Sequence, residues 1–227
     1  MKIKNLIGVM QGRLVPKYKG RYQAHPVGYW QEEFSLARDM GIDLIEFILD
    51  YEDIEENPLI YPGGIDEILS VSERTGVEVK TICADFFMEA PLHSRNTQEV
   101  GRSRKVMTEL LAAASRLGVT DIVVPCVDLS ALNSNAAIRR LVVELNRLLD
   151  CASKCEVRLA LETDLPAYSL AALLDQLDRD LVAVNYDIGN SAALGYDPVE
   201  ELTAYGSRIS DIHIKDRVCG GGSVMLG

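Results

Sequence analysis

Short apolar runs rich in β-branched residues alternate with longer amphipathic segments along the whole chain, and this rhythm narrows the fold sharply. The runs are Ile3–Met10, Ile42–Leu49, Val77–Phe86, Asp121–Val127, Val157–Glu162, Leu181–Asp187 and Asp211–Ile214. Most are near-continuously apolar (DIVVPCV, VRLALE, LVAVNYD), as strands covered on both faces of a parallel sheet must be. Trp30–Met40, Ile65–Thr75 and Thr97–Leu117 read as helices. Each is followed by a glycine (Gly41, Gly76, Gly118) where a C-cap calls for left-handed backbone. Asn133–Lys154 gathers Leu141, Leu145, Leu148 and Leu149 on one face, and two shorter helices are expected at Tyr168–Leu177 and Pro198–Tyr205.

Comparable strand-end residues (Met10, Glu46, Asp85, Cys126, Glu162, Asp187 and His213) recur at intervals of roughly 25–40 residues, the length of a strand, a helix and two loops. The first turn lacks the G-x-G-x-x-G that a dinucleotide-binding sheet would carry. The pattern therefore predicts an α/β fold: a (β/α)8 TIM barrel in a single domain over residues 1–227. Seven strands are present and strand eight is missing. After the seventh run only Lys215–Gly227 follows, ending in the loop-like GGGSVMLG. The chain is accordingly expected to be C-terminally truncated, or to be completed by a partner, since an open barrel leaves two unpaired edges. Such edges also give it a reason to form a homo-oligomer.

Charge then limits the partners. Asp plus Glu is 34 against 23 for Lys plus Arg, a formal net charge of -11, with no basic run to offset it. This disfavours nucleic acid and points to small molecules. No apolar run approaches the roughly 18–20 residues that span a membrane. The opening MKIKNLIGVMQGRL has no small-residue cleavage site and reads as a strand rather than a signal peptide, so the expected location is cytoplasmic. The five cysteines form no CxxC pair and are read as free thiols, partly in the core.

In such barrels the carboxyl ends of the strands carry the chemistry. Those ends offer Gln11-Gly12-Arg13, Glu46, Asp85, Glu162, Asp187 with Asn190, and His213 with Lys215, Asp216 and Arg217. Glu162, Asp187 and His213 come from three consecutive strands. Neighbouring strands lie about 4.8 Å apart, so the three side chains can converge on one ion. Two carboxylates and an imidazole suit Mn²⁺, Zn²⁺ or Co²⁺, with Mg²⁺ also compatible. Each acid could instead cap the helix that follows, and the histidine could be a satisfied core residue. Arg13, Lys215 and Arg217, with Gly220–Gly222, could receive a phosphate, or could be rim salt bridges beside a flexible tail. His25 and His93 are expected at the surface, and Trp30 in packing or a pocket wall.

The segments IEFILD, LALETD, NYDIGNSAALGYDP and DIHIKDR resemble the xylose isomerase-like barrel superfamily. MQGRLVP, GRYQ and the WQEEF helix are similar to its sugar phosphate isomerase/epimerase branch. The resemblance implies one divalent metal ion held by a strand-five Glu, a strand-six Asp, a strand-seven His and a strand-eight Glu. The first three match Glu162, Asp187 and His213, and the fourth lies beyond this sequence. Many relatives carry a histidine where this chain has Asn190, a residue that can bind a sugar hydroxyl but cannot titrate near neutral pH. The implied chemistry is proton abstraction next to a carbonyl through an enediolate, with Glu162 as base and Glu46 a distant candidate for the second acid. Substrate contacts are expected from Arg13, Glu46, Asn190, Lys215 and Arg217. Two alternatives share the scaffold: a keto-inositol dehydratase-type lyase and a catalytically inactive binding protein. A nuclease of the apurinic type would need many histidines and a basic face, and this chain has three histidines.

Overall fold

A computed structural model describes residues 6–225. Seven parallel strands, β1 (Gly8–Met10), β2 (Leu44–Ile48), β3 (Thr81–Cys83), β4 (Asp121–Cys126), β5 (Arg158–Thr163), β6 (Val182–Asp187) and β7 (Ile209–His213), lie side by side in chain order. Eight helices connect and cover them: α1 (Trp30–Asp39), α2 (Gly64–Thr75), α3 (Phe86–Glu89), α4 (Thr97–Leu117), α5 (Asn135–Cys155), α6 (Ala167–Leu174), α7 (Ile188–Leu194) and α8 (Pro198–Tyr205). This is the architecture that the alternation predicts. The outer strands β1 and β7 do not pair with each other, and no eighth parallel strand occurs among the described residues.

Local chemistry sets the boundaries. Asn96 caps α4 by accepting from the Gln98 and Glu99 amides, and Ser134 caps α5 through the Ala137 amide. Gly76 and Gly118 end α2 and α4 in the left-handed region. Strand covering produces two apolar layers. One, built on Phe47, Ile82, Ile122, Leu159 and Leu161, packs the strands against the helices. The other (Met10, Ile48, Cys83, Val123, Ala160 and Ala183) fills the interior.

Two features aim the strand ends. The sheet curls: His213 on β7 lies 2.7 Å from Glu46 on β2, whereas in a flat sheet five strand spacings would separate them by about 24 Å. Between β6 and β7 the register shifts. Val184 pairs with Ile209 but Asn185 pairs with Asp211, so Ser210 is an extra residue. Because side chains alternate, that one insertion brings Asp211 and His213 to the same face as Asn185 and Asp187.

Several segments differ from expectation. The strand expected over Val77–Phe86 is only Thr81–Cys83, since Phe86 already opens α3. The first part of Ile3–Met10 lies outside the described residues. The glycine-rich tail is not a loose loop: β8 (Asp216–Arg217) and β9 (Ser223–Val224) form an antiparallel hairpin, closed by Arg217 bonds to the Gly221 carbonyl (3.1 and 2.8 Å). Short α7 was not expected. It forms because Asp187 accepts from the Asn190 amide (2.8 Å). All five cysteines are free, with Cys83 and Cys126 buried.

Candidate active site

The carboxyl ends of β2, β5, β6 and β7 bring together Glu46, Glu162, Asp187, Asp211 and His213. Suitable ligand atoms of Glu162, Asp187 and His213 lie within 4.8 Å of one another, and so do those of Glu46, Asp211 and His213. His213 joins the two groups. Its Nε2 is 2.7 Å from Glu46, and its Nδ1 is 3.5 Å from Glu162 and 4.0 Å from Asp187.

Neighbouring amides fix Glu162. Asn185 Nδ2 donates to one carboxylate oxygen (2.8 Å) and Asn190 Nδ2 to the other (2.7 Å). Asp187 divides its two oxygens: one caps α7, and the other meets Lys215 Nζ at 2.6 Å. Asp187 thus caps the helix and at the same time stands in the carboxylate–imidazole cluster. Gly189 permits the arrangement, since a Cβ there would meet the Lys215 carbonyl at 2.5 Å. Arg217 donates to Asn190 Oδ1 (2.5 Å), so Asn190, Lys215 and Arg217 form one rim beside the carboxylates.

The electrostatics follow from this crowding. Burial opposes protonation of His213, but Glu46 and Glu162 outweigh it and push the imidazole up to about 11. Burial also works against ionised Glu162, yet His213 and Lys215 hold its pKa below the ordinary carboxylate value. Burial, then Glu46, raises Asp211. Four carboxylates therefore face two cations, His213 and Lys215, and negative charge remains in excess even with the histidine protonated. Glu46 Oε1 and Asn185 Oδ1 are buried without a hydrogen-bond partner. A mixed carboxylate–imidazole donor set with surplus negative charge and unspent oxygen acceptors fits a divalent cation.

Other expected residues stand apart. Arg13 is exposed and donates to Gln23 Oε1 (3.2 Å), making no ion pair among the described residues. Gln23 in turn donates to Asp85 (3.2 Å), whose carboxyl burial raises to about 6. Gln11 is fully buried and accepts from the Ile48 amide (3.0 Å), with its Oε1 3.2 Å from His25 Nδ1. His25 and His93 are buried, contrary to expectation. The rings of Trp30 and Phe47 cover His25, and burial lowers its pKa to about 4.

Sequence reasoning missed three contributors. Asn185 and Asp211 each lie two residues before a recognised site residue, so the strand period already placed them on the same face. Glu33 accepts from the Gly12 and Leu14 amides (2.8 and 2.9 Å) and so shapes the turn after β1. Its signal was a carboxylate on the apolar α1 face that carries Trp30, Phe34 and Ala37.

Fold and cluster together define a parallel βα-barrel protein with a carboxylate–imidazole centre at its strand ends. The chain belongs to the xylose isomerase-like TIM barrel family, whose sequence model matches residues 34–223. It is 27% identical over 208 residues to an L-ribulose-5-phosphate 3-epimerase, UlaE, of Salmonella paratyphi A, covering 86% of this chain and 71% of that protein. The crystal structure of the 3-keto-D-glucoside 4-epimerase YcjR from E. coli superposes with a TM-score of 0.72 at 16% identity, covering 94% of this chain and 80% of the other. That of the IOLI protein with a bound zinc atom superposes with a TM-score of 0.68 at 17% identity, covering 93% and 73%.

Proposed function

We propose that this chain is a metal-dependent sugar or sugar phosphate isomerase/epimerase, and within that class an epimerase acting at the carbon next to a ketose carbonyl. One observation carries the reading: ligand atoms of Glu162, Asp187 and His213 lie within 4.8 Å of one another at the carboxyl ends of adjacent strands. The relatives support it, since UlaE is named as a 3-epimerase of a ketose phosphate and YcjR as a 4-epimerase of a 3-keto sugar, both reactions next to a carbonyl. The zinc atom of the IOLI structure supports a metal in this kind of barrel.

Glu162, Asp187 and His213 would hold the ion, and when bound it supplies Lewis-acid polarisation of the carbonyl and its neighbouring hydroxyl. Glu162 is the base. It is buried, ionised and oriented by Asn185 and Asn190, so it can take the proton without first reorganising. Glu46, across the interior on β2, would return a proton from another direction, which epimerisation requires, after taking that proton from solvent. Asn190 addresses a sugar hydroxyl. Lys215 and Arg217 on one rim, and Arg13 on the other, address a phosphate or further hydroxyls.

The test is solvent exchange. The protein, loaded with Mn²⁺ and incubated with L-ribulose 5-phosphate or D-psicose in deuterated water, should introduce deuterium at C3 and yield the C3 epimer. Loss of water from the substrate would favour the dehydratase-type lyase. Bound metal without exchange or water loss on either sugar would favour a binding protein and overturn the reading.

A further inference from the structure

A second cavity, sharing no residue with the carboxylate cluster, opens between α4 and α5. It has a volume of about 580 Å³ and is lined by five arginines: Arg95, Arg104, Arg139, Arg140 and Arg147. The one carboxylate in its wall, Glu144, is already committed. Arg104 reaches one of its oxygens at 2.7 Å and Arg147 contacts the other. Arg140 donates to the His93 carbonyl (2.7 Å). Arg95 and Arg139 are exposed and make no hydrogen bond or ion pair among the described residues. In a chain of net charge -11, this groove concentrates positive charge that its own walls do not balance. Its floor is apolar: Val100 and Ala136 lie between the helices, and Val143 is left 49% exposed.

Solvated arginines on a helix surface need neither a cavity nor an apolar floor. A concave space of this size falls within the range of small-molecule sites, and its lining sets apolar residues beside a concentration of guanidinium groups. Guanidinium groups pair with phosphate and carboxylate through two parallel hydrogen bonds. We propose that the groove between α4 and α5 binds an amphipathic organic anion, with a phosphate or carboxylate head on Arg95 and Arg139 and an apolar body over Val100 and Val143. The site is independent of the epimerase reading.

The probe is 8-anilinonaphthalene-1-sulfonate, an apolar anion that fluoresces on binding. The full chain should bind it in a saturable class at one site per chain, weakened by salt. The double variant Arg95→Ala/Arg139→Ala removes only exposed, unpartnered side chains, and should lower the affinity about tenfold or more. Val143→Glu should do the same from the floor. Arg38→Ala/Arg74→Ala, an equal charge change elsewhere, should leave binding intact. Phenyl phosphate and benzoate, added as competitors, identify the preferred head group, and displacement by either supports the site. Unchanged affinity in the groove variant, an equal loss in the distant control, or failure of both competitors would overturn the proposal.

Discussion

The middle of the sheet and its two flanks are built differently. β4 and β6 are buried at every position, and β4 is paired along its whole length with β5. β1 is three residues long and partly exposed, while Ile212 on β7 is 53% exposed. The site draws on both regions: Glu162 and Asp187 come from the buried wall, and His213 comes from a flank. Stability and chemistry are thus separable. The wall holds the fold together, whereas the flank completes a cluster without contributing much burial.

The largest effect should come from a wall residue that contributes chemistry rather than packing. Glu162→Gln is expected to lower turnover by about 10²–10⁴-fold, as measured by steady-state epimerisation at a temperature where circular dichroism shows the variant folded. Next is a packing residue of the same strand: Leu161→Ala should cost about 2–5 kcal/mol in urea unfolding, since Leu161 is fully buried. A smaller loss tests the β1 flank. Gly12 has φ +83, and a Cβ there would meet the Tyr22 carbonyl at 2.3 Å. Gly12→Ala should therefore cost about 1–3 kcal/mol and disturb the turn that Glu33 holds.

The fourth effect depends on pH. His25 is held neutral, with a folded pKa of about 4 against 6.5 unfolded. Between these values the unfolded chain binds the extra proton, so the contribution of neutral His25 is fully present above pH 6.5 and declines as pH falls toward 4. Comparison of the wild type with His25→Gln should show the wild type losing ground on acidification, by at most about 1.4 kcal/mol per pH unit. A His25 proton signal titrating near 6.5 in NMR would contradict this. The smallest effect belongs to the β7 flank, where Ile212→Ala should change stability by less than about 0.5 kcal/mol. If it matched Leu161→Ala, the contrast between wall and flank would disappear.

The wall was the more legible region for a physical reason. Strands covered on both sides must be apolar throughout, so DIVVPCV and LVAVNYD declare themselves, and the aspartate that ends the second marks the site. The flanks depend on events that leave no periodic trace. The extra residue Ser210 sets the phase of Asp211 and His213, and nothing in ISDIH announces it. The meeting of Glu46 with His213 needs the curl of the whole sheet. His25 was misjudged because its cover, Trp30 and Phe47, belongs to other elements, so burial could not be read from the residues beside it. The tail hairpin rests on Arg217 bonding the Gly221 carbonyl, a pairing that a run of glycines does not reveal.

The interior layer of Met10, Ile48, Cys83, Val123, Ala160 and Ala183 has a consequence of its own. It fills the interior beneath the carboxylates, so an ion held by Glu162, Asp187 and His213 would not be reached from below. A sugar settled above that ion would cover its other side, and stripping by a chelator would slow as the sugar saturates the site.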